Sequence, residues 1–225
     1  MVSLTLKSKH RLLCGDSTDA ESVAYLMDGA KADMVFTDPP YGMGLDVDRR
    51  GMGATTTKYV PIINDDEPYD ASVMMGMIEA PIWFIWGADY FLDTIPDHES
   101  GSLLVWAKAH SDEENKVFGS AFEMCWQYPK AKKEIWFVRR IQMTDELLKA
   151  HPTQKPTELA IRALASIEQG QLVVDFYLGS GTTLIAAERL GRKCYGIEID
   201  PIYCDVAVRR WENYTGEPGV RVGQP

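Results

Sequence analysis

The four residues Asp38-Pro39-Pro40-Tyr41 combine an acceptor, a fixed backbone and a flat ring within one short turn. The prolines remove two backbone donors and set the chain direction, so the Pro39 carbonyl is available to a ligand. Asp38 supplies a second acceptor, and Tyr41 supplies a face for stacking. An exocyclic amine on a planar base suits this group: it would donate to Asp38 and to the Pro39 carbonyl while its ring lies on Tyr41. A plain strand stop is the ordinary alternative for the same four residues.

A second cluster is Asp175-Phe176-Tyr177-Leu178-Gly179-Ser180-Gly181-Thr182-Thr183. Its glycines permit a tight strand-to-helix turn with close ligand approach, and the helix start that follows turns N–H groups toward an anion. Leu184 stands where the third glycine of a dinucleotide fingerprint would fall, and no Lys follows the glycines as a phosphate loop requires. Glu198, at the end of the next apolar run, can take both hydroxyls of a ribose. A ribose joined to a compact anionic group therefore fits, as in S-adenosyl-L-methionine.

Asp16, Asp38, Asp175 and Glu198 each close a short apolar run read as a strand. One such Asp is more often a helix or turn cap. Four together point to a ligand crevice, because parallel sheets bind ligands beyond the carboxyl ends of their strands.

The elements that must position them follow from periodicity and punctuation. Strands are predicted over 11–15, 33–37, 82–86, 102–107, 122–128, 134–139, 171–176 and 193–199, with 122–128 and 134–139 forming a hairpin about Pro129-Lys130. Helices are predicted from a Ser17 or Thr18 cap to about Asp28, over 71–79, from Pro156 to about Glu168, and over 182–190 and 201–211. The closing β-α-β-α order is that of a doubly wound sheet. Residues 42–70 read as a long loop, a length usually reserved for function.

These motifs resemble those of amino-directed DNA methyltransferases of the β arrangement, in which D-P-P-Y precedes the cofactor motif. His151-Pro152-Thr153-Gln154-Lys155-Pro156 is similar to the family's H-P-T-Q-K-P, and Asp175–Thr183 to its D-P-F-x-G-S-G-T-T, with Phe176 and Tyr177 as departures. Gly15-Asp16 matches its G-D, and Gly196–Asp200 with Tyr203 and Arg209 its ribose segment. The resemblance covers almost the whole chain. It implies one methyltransferase domain over residues 1–225, α/β and Rossmann-like, with a doubly wound seven-stranded mixed sheet and circularly permuted motif order. A mobile loop at about 42–60 and a small target-recognition region at about 129–150 are expected within it.

The same resemblance implies methyl transfer from S-adenosyl-L-methionine to the N6 amine of a flipped adenine in DNA, since Asp at the first motif position is more typical of adenine enzymes. The alternatives are N4-cytosine methylation, a catalytically silent subunit of the same fold that binds nucleic acid, and an RNA or protein amide substrate. Asp38, Pro39, Pro40 and Tyr41 are the expected catalytic residues. Asp16, Thr153, Lys155, Asp175, Tyr177, Gly179, Ser180, Gly181, Thr182 and Glu198 are expected around the cofactor. Restriction-modification in a bacterium or phage is the implied setting, with relaxed or short-site recognition.

Charge at first argues against DNA, because the net charge of the 225 residues is −10 and phosphate neutralisation drives nucleic-acid binding. Nine acids and no Lys or Arg fall in residues 61–100, however, and the other 185 residues carry 24 acids against 23 bases. The acidic stretch is expected to lie away from the phosphates or to face a partner. Arg49, Arg50, Lys130, Lys132, Lys133, Arg139 and Arg140 are the expected DNA contacts, and a homodimer is expected to supplement so few bases. Cys14, Cys125, Cys194 and Cys204 show no metal-ligand spacing and no C-x-x-C. No metal is expected. No apolar run suits a signal peptide or a membrane span, and a reducing, cytoplasmic setting follows.

Overall fold

The computed structural model describes residues 2–6, 9–42, 67–109, 111, 120–139, 154–167 and 171–222, and the side chains of residues 9–220 within these. Arg49, Arg50, Arg140 and Thr153 fall outside the described residues, as do 43–60 of the expected loop and 140–150 of the expected recognition region.

Along the chain run β1 (Val2–Leu6), β2 (His10–Cys14), α1 (Ala20–Met27), β3 (Met34–Thr37), α2 (Ala71–Met75), β4 (Trp83–Trp86) and α3 (Ala88–Phe91). Then come β5 (Ser102–Ala107), β6 (Phe122–Tyr128), β7 (Ile135–Phe137), α4 (Thr157–Ala165), β8 (Leu172–Asp175), α5 (Thr182–Arg189), β9 (Lys193–Glu198), α6 (Pro201–Thr215) and β10 (Val220–Val222). Among the described residues they form one ten-stranded sheet in the order β10-β1-β2-β9-β8-β3-β4-β6-β5-β7.

The expected seven-stranded mixed sheet is the middle of this order, β2 through β5, and β1 with β10 on one side and β7 on the other extend it. Five neighbours, β2-β9-β8-β3-β4, are mutually parallel, and β6 enters antiparallel between β4 and β5. β8 and β9 arrive late in the chain yet lie between β2 and β3, which is the permuted order. Burial explains the near-continuous apolar strands: all four residues of β3, of β4 and of β8 are buried, because helices cover both faces. α4, α5 and α6 pack Leu159, Leu184 and Trp211 on one face. α1, α2 and α3 pack Leu26, Met74 and Phe91 on the other.

Several predicted elements change. β6 and β7 do not pair; β5 lies between them, antiparallel to β6 and parallel to β7. The Pro129-Lys130 turn is therefore a link that crosses a strand, because β6 finds its partners in β4 and β5. α1 is capped by Asp19, whose carboxylate accepts from Glu21 N and Ser22 N, so it starts later than a Ser17 or Thr18 cap would place it. α2 stops at Met75, where Gly76 ends the turn. Pro156 is the extended residue before α4 (ψ 132°), not part of its first turn.

The far edge of the parallel strands is tied down by a buried histidine. His10 accepts from Cys194 N at Nδ1 (3.0 Å), which leaves Nε2 to donate to Glu188 Oε2 at 2.6 Å. The Trp211 indole donates to the same oxygen at 3.0 Å. Burial lowers the His10 pKa, against the pull of Glu188, so the neutral ring joins β2, β9, α5 and α6. Truncation would leave Cys194 N–H and the Glu188 acceptor short of partners. The His10→Ala variant is expected to lose roughly 2–4 kcal/mol of stability, read from the urea midpoint at constant m-value.

Candidate active site

The strand order reverses between β8 and β3, the place where such sheets hold ligands. A cavity of about 550 Å³ opens there, within the range of small-molecule sites. Asp16, Asp38, Asp175 and Glu198 all line it, so the structure brings the four strand-end acids to one crevice. Pro39, Pro40, Tyr41, Lys155, Tyr177, Gly179, Ser180 and Thr182 line it as well.

Each acid is held differently. Asp16 Oδ1 accepts from Thr18 N (2.8 Å) and Thr18 Oγ1 (2.7 Å) in the turn after β2. Asp175 is fully enclosed: Oδ1 takes Thr37 Oγ1 (2.9 Å) and Tyr177 N (3.1 Å), while Oδ2 takes Thr183 Oγ1 (2.5 Å). The Thr37 bond clamps β3 to β8 below the crevice. Burial pushes the Asp175 carboxyl up to about 7, against the three donors. Glu198 accepts from Gly179 N (2.7 Å) at Oε2 and from Asp200 N (2.9 Å) at Oε1. Burial raises its pKa and those backbone donors oppose the rise.

The glycine turn is shaped by close approach. Gly181 precedes α5 with φ +83°, and a Cβ there would lie 2.9 Å from the Ala207 Cβ on α6. Only glycine allows that turn and that packing together. Arg210 reaches back from α6 to donate to Ser180 O (2.8 Å) and Oγ (3.1 Å). Tyr177, where the family pattern has Phe, packs edge-on against Tyr69 with ring centroids 5.8 Å apart. Phe176 is buried in the core and also lines the floor of the crevice.

Asp38 sits just beyond β3. Its Oδ1 accepts from the Tyr41 hydroxyl at 2.7 Å and meets Lys155 Nζ at 2.6 Å. The Tyr41 ring lies against Gly87, where a Cβ would come within 2.0 Å of it. It also stacks on Tyr90 at 5.0 Å and 13°. Sequence reasoning did not identify Tyr90 or Gly87, since the platform they complete joins two strand ends distant in the chain. Lys155, expected at the cofactor, turns its ammonium to Asp38 and to Glu123 Oε2 (3.0 Å), while its backbone oxygen accepts from Thr182 Oγ1 (3.3 Å). Glu123 on β6 was likewise not singled out; its sole sequence signal is an acid at the start of an apolar strand.

Gln154 is a further addition. It lines the cavity, and its buried amide oxygen and nitrogen both have no hydrogen-bond partner among the described residues. A buried amide with two unused ends calls for a polar ligand.

The expected DNA contacts divide. β6 begins at the crevice with Glu123 and runs away from it, so Lys130, Lys132 and Lys133 follow its far end, opposite Asp38. All three are exposed. β7 returns parallel to β5, so exposed Arg139 lies toward the crevice end of the sheet. Glu67 and Asp70, from the acidic stretch, line the cavity instead of lying remote from it. Among the described residues no cluster of His, Cys, Asp and Glu could hold a metal, and no helix is long and apolar enough to cross a membrane.

The model of a DNA methylase family matches residues 85–209, more than half of the chain. Type II methyltransferase M2.DpnII of Streptococcus pneumoniae is 31% identical over 114 residues, which are 50% of this chain and 42% of the relative. M2.MboI of Moraxella bovis is 32% identical over 117 residues, 52% of this chain and 42% of the relative. The matched region therefore spans less than half the length of these relatives. Among solved structures, the M1.HpyAVI–SAM complex superposes with TM-score 0.53 at 19% identity, covering 88% of this chain and 98% of that one. PvuII DNA methyltransferase (cytosine-N4-specific) superposes at 0.59 and 17% identity, covering 90% and 86%. Both share the fold.

The buried carboxyl of Asp175 gives a pH signature. Its folded pKa of about 7 lies above the ordinary aspartate value of 3.8, so the fold binds its proton more tightly than the unfolded chain does. The stability it contributes is full below the unfolded value and is lost as pH rises through about 7. Asp175→Asn is expected to flatten this part of the stability profile between pH 4 and pH 8, measured as urea midpoints across that range. An unchanged slope would contradict the assignment.

Proposed function

This chain belongs to the DNA methylase family of the N6-adenine and N4-cytosine type, and on that premise we propose that it methylates the N6 amine of adenine in DNA. The observation that carries the reading is Asp38 at the crevice mouth, with one oxygen engaged by Lys155 and Tyr41 and an aromatic platform beside it. Asp at this motif position, in place of Ser, favours adenine over cytosine.

The residues present fit S-adenosyl-L-methionine. Glu198 can take the ribose hydroxyls, and the open amide of Gln154 can meet the charged amino-acid end. Asp16, Tyr177, Gly179, Ser180 and Thr182 complete the walls, Gly181 shapes the turn behind them, and Thr153 belongs to the same motif as Gln154. The cofactor supplies a methyl group on a sulfonium, which is drawn to an acid-lined crevice.

The chain's own residues do the rest. The amine is a poor nucleophile because its lone pair is shared with the ring. Hydrogen bonds to Asp38 Oδ2 and to the Pro39 carbonyl, with Pro40 holding the backbone, draw the nitrogen toward tetrahedral geometry and free that pair. A new N–C bond forms as the S–C bond breaks, leaving a neutral thioether and a positively charged nitrogen. Asp38 stabilises that charge in a water-poor crevice and takes the proton the nitrogen releases. No cysteine nucleophile is required; burial pushes the thiols of Cys125, Cys194 and Cys204 up. The target base must leave the helix, at a cost of a few kcal/mol. Stacking on the Tyr41–Tyr90 platform offsets roughly 1–3 kcal/mol of it.

For DNA, Arg139 is the described contact on the crevice side, with Arg49, Arg50 and Arg140 added from outside the described residues. Lys130, Lys132 and Lys133 would engage a duplex only where it wraps past the sheet's far edge, or a partner copy in a homodimer. A site in the cytoplasm of a bacterium, within a restriction-modification pair, is consistent with the relatives' type II names.

Two substitutions separate the roles. Asp38→Ala is expected to reduce methyl transfer to duplex DNA by about 10³-fold or more, with the cofactor Kd from calorimetry nearly unchanged. Glu198→Ala is expected to weaken cofactor binding by about 10–100-fold. Substantial turnover in the first, or wild-type affinity in the second, would contradict the respective assignment.

A further inference from the structure

Lys155 is 6% exposed and reaches the crevice from the segment before α4. Its ammonium has three protons to donate, and three oxygens surround it: Asp38 Oδ1 at 2.6 Å, Glu123 Oε2 at 3.0 Å and the Tyr41 hydroxyl at 3.0 Å. The rings of Tyr41 and Trp86, each 5.6 Å from Nζ, close the remaining sides. Glu123 is bracketed in turn, with Lys155 at one oxygen and Lys108 at the other. Asp38, Lys155, Glu123 and Lys108 thus form a row of alternating charge from the crevice outward, built from four separate parts of the chain.

We propose that Lys155 and Glu123 are positioning residues for Asp38: Lys155 fixes its Oδ1 and keeps the carboxylate ionised, and Glu123 sets how much of the Lys155 charge Asp38 feels. The proposal deepens, and rests on, the reading of Asp38 as the acceptor of the substrate amine. With Oδ1 occupied, Oδ2 is the oxygen that meets the amine, so a single orientation is selected. Partial burial favours the protonated form of this carboxylate, and the adjoining ammonium opposes that.

The charges around Asp38 agree. Burial raises its pKa, Lys155 lowers it, and Glu123 raises it. Across the sheet Asp175 on β8 faces it, and Cys125 on β6 lies close enough to feel both Asp38 and Lys155. Asp89 on α3 interacts with Glu123, Lys155 and Lys108. Among the described residues, Lys155 is the cation in contact with Asp38, and Lys108 stands one carboxylate farther away. For Lys155, burial works against the charged form, and Asp38 with Glu123 outweigh it. It therefore remains an ammonium through the range in which Asp38 titrates.

The test is a carbon-13 titration of the Asp38 carboxyl in the free full chain, assigned with Asp38→Asn, for the wild type, Lys155→Met and Glu123→Gln. Loss of the neighbouring cation disfavours the carboxylate, so Lys155→Met is expected to move the Asp38 midpoint up by about 1–3 pH units. Loss of the neighbouring anion favours it, so Glu123→Gln moves the midpoint down. The acid limb of the kcat profile on duplex DNA follows in the same two directions, while the cofactor Kd changes by less than about threefold. Opposed shifts are not produced by general loosening of the site.

An Asp38 midpoint unmoved in Lys155→Met, or shifts of the same sign in both variants, would overturn the proposal. So would a weakened cofactor Kd with an unmoved midpoint, which would make Lys155 a cofactor contact. Should Lys155→Met not fold, Glu123→Gln decides alone, and Lys155→Arg is expected to keep the wild-type midpoint. Absence of any methyl transfer by the wild type would overturn the reading of Asp38 as an amine acceptor, yet the titration would still show whether Lys155 and Glu123 govern its ionisation.

Discussion

The contact between Lys155 Nζ and Asp38 Oδ1, 2.6 Å long, with the ammonium buried and the carboxylate half-buried, is the interaction on which the proposed chemistry depends. A carboxylate beyond a strand end, walled by aromatic rings and prolines, is in an environment that favours its neutral form. An acceptor for an amine that becomes cationic must be ionised before the reaction begins. The ammonium reconciles these two demands, and Glu123 with Lys108 keeps the ammonium itself from being a lone buried charge. One apolar crevice can then carry several charges, since each is paired or hydrogen-bonded.

The sheet makes that pairing possible. Parallel strands β2, β9, β8, β3 and β4 bring their carboxyl ends to one rim, which gathers Asp16, Glu198, Asp175 and Asp38. Because β6 runs antiparallel, its first residues reach the same rim and deliver Glu123. The Thr37–Asp175 bond fixes the two strands at the point of reversal, and Gly181 and Gly87 let a helix and a ring approach more closely than a side chain would allow. The parts of the crevice proposed for the cofactor and for the base thus share one floor.

Much of this was legible in the sequence because the relevant signals are local. The Asp-Pro-Pro-Tyr turn, the glycine turn and the acids closing apolar runs each fit within a few residues, and the strand-end rule turned them into one crevice. The partners of those residues were not legible, because they lie at separations of more than thirty residues: Lys155 meets Asp38 from 117 positions away, and Glu123 meets Lys155 from 32. Strand pairing fails for the same reason. β6 and β7 look like a hairpin from their spacing, yet β5 comes between them, and that reassignment carries Lys130, Lys132 and Lys133 to the end of the sheet opposite Asp38. β1 and β10 are short strands, β10 at the sheet edge, whose pairing joins residues more than two hundred positions apart, so no local pattern marks them. Gln154 was within a quoted motif, but only its two unpartnered buried atoms single it out.

The central claim is that Asp38 serves the amine of an adenine in DNA. It is tested most directly by incubating duplex DNA with the chain and a methyl-labelled cofactor, digesting the DNA to nucleosides, and identifying the labelled product by mass spectrometry. The account predicts label in N6-methyl-deoxyadenosine, absent when Asp38 is replaced. Label in N4-methyl-deoxycytidine, or no labelled nucleoside at all, would contradict it.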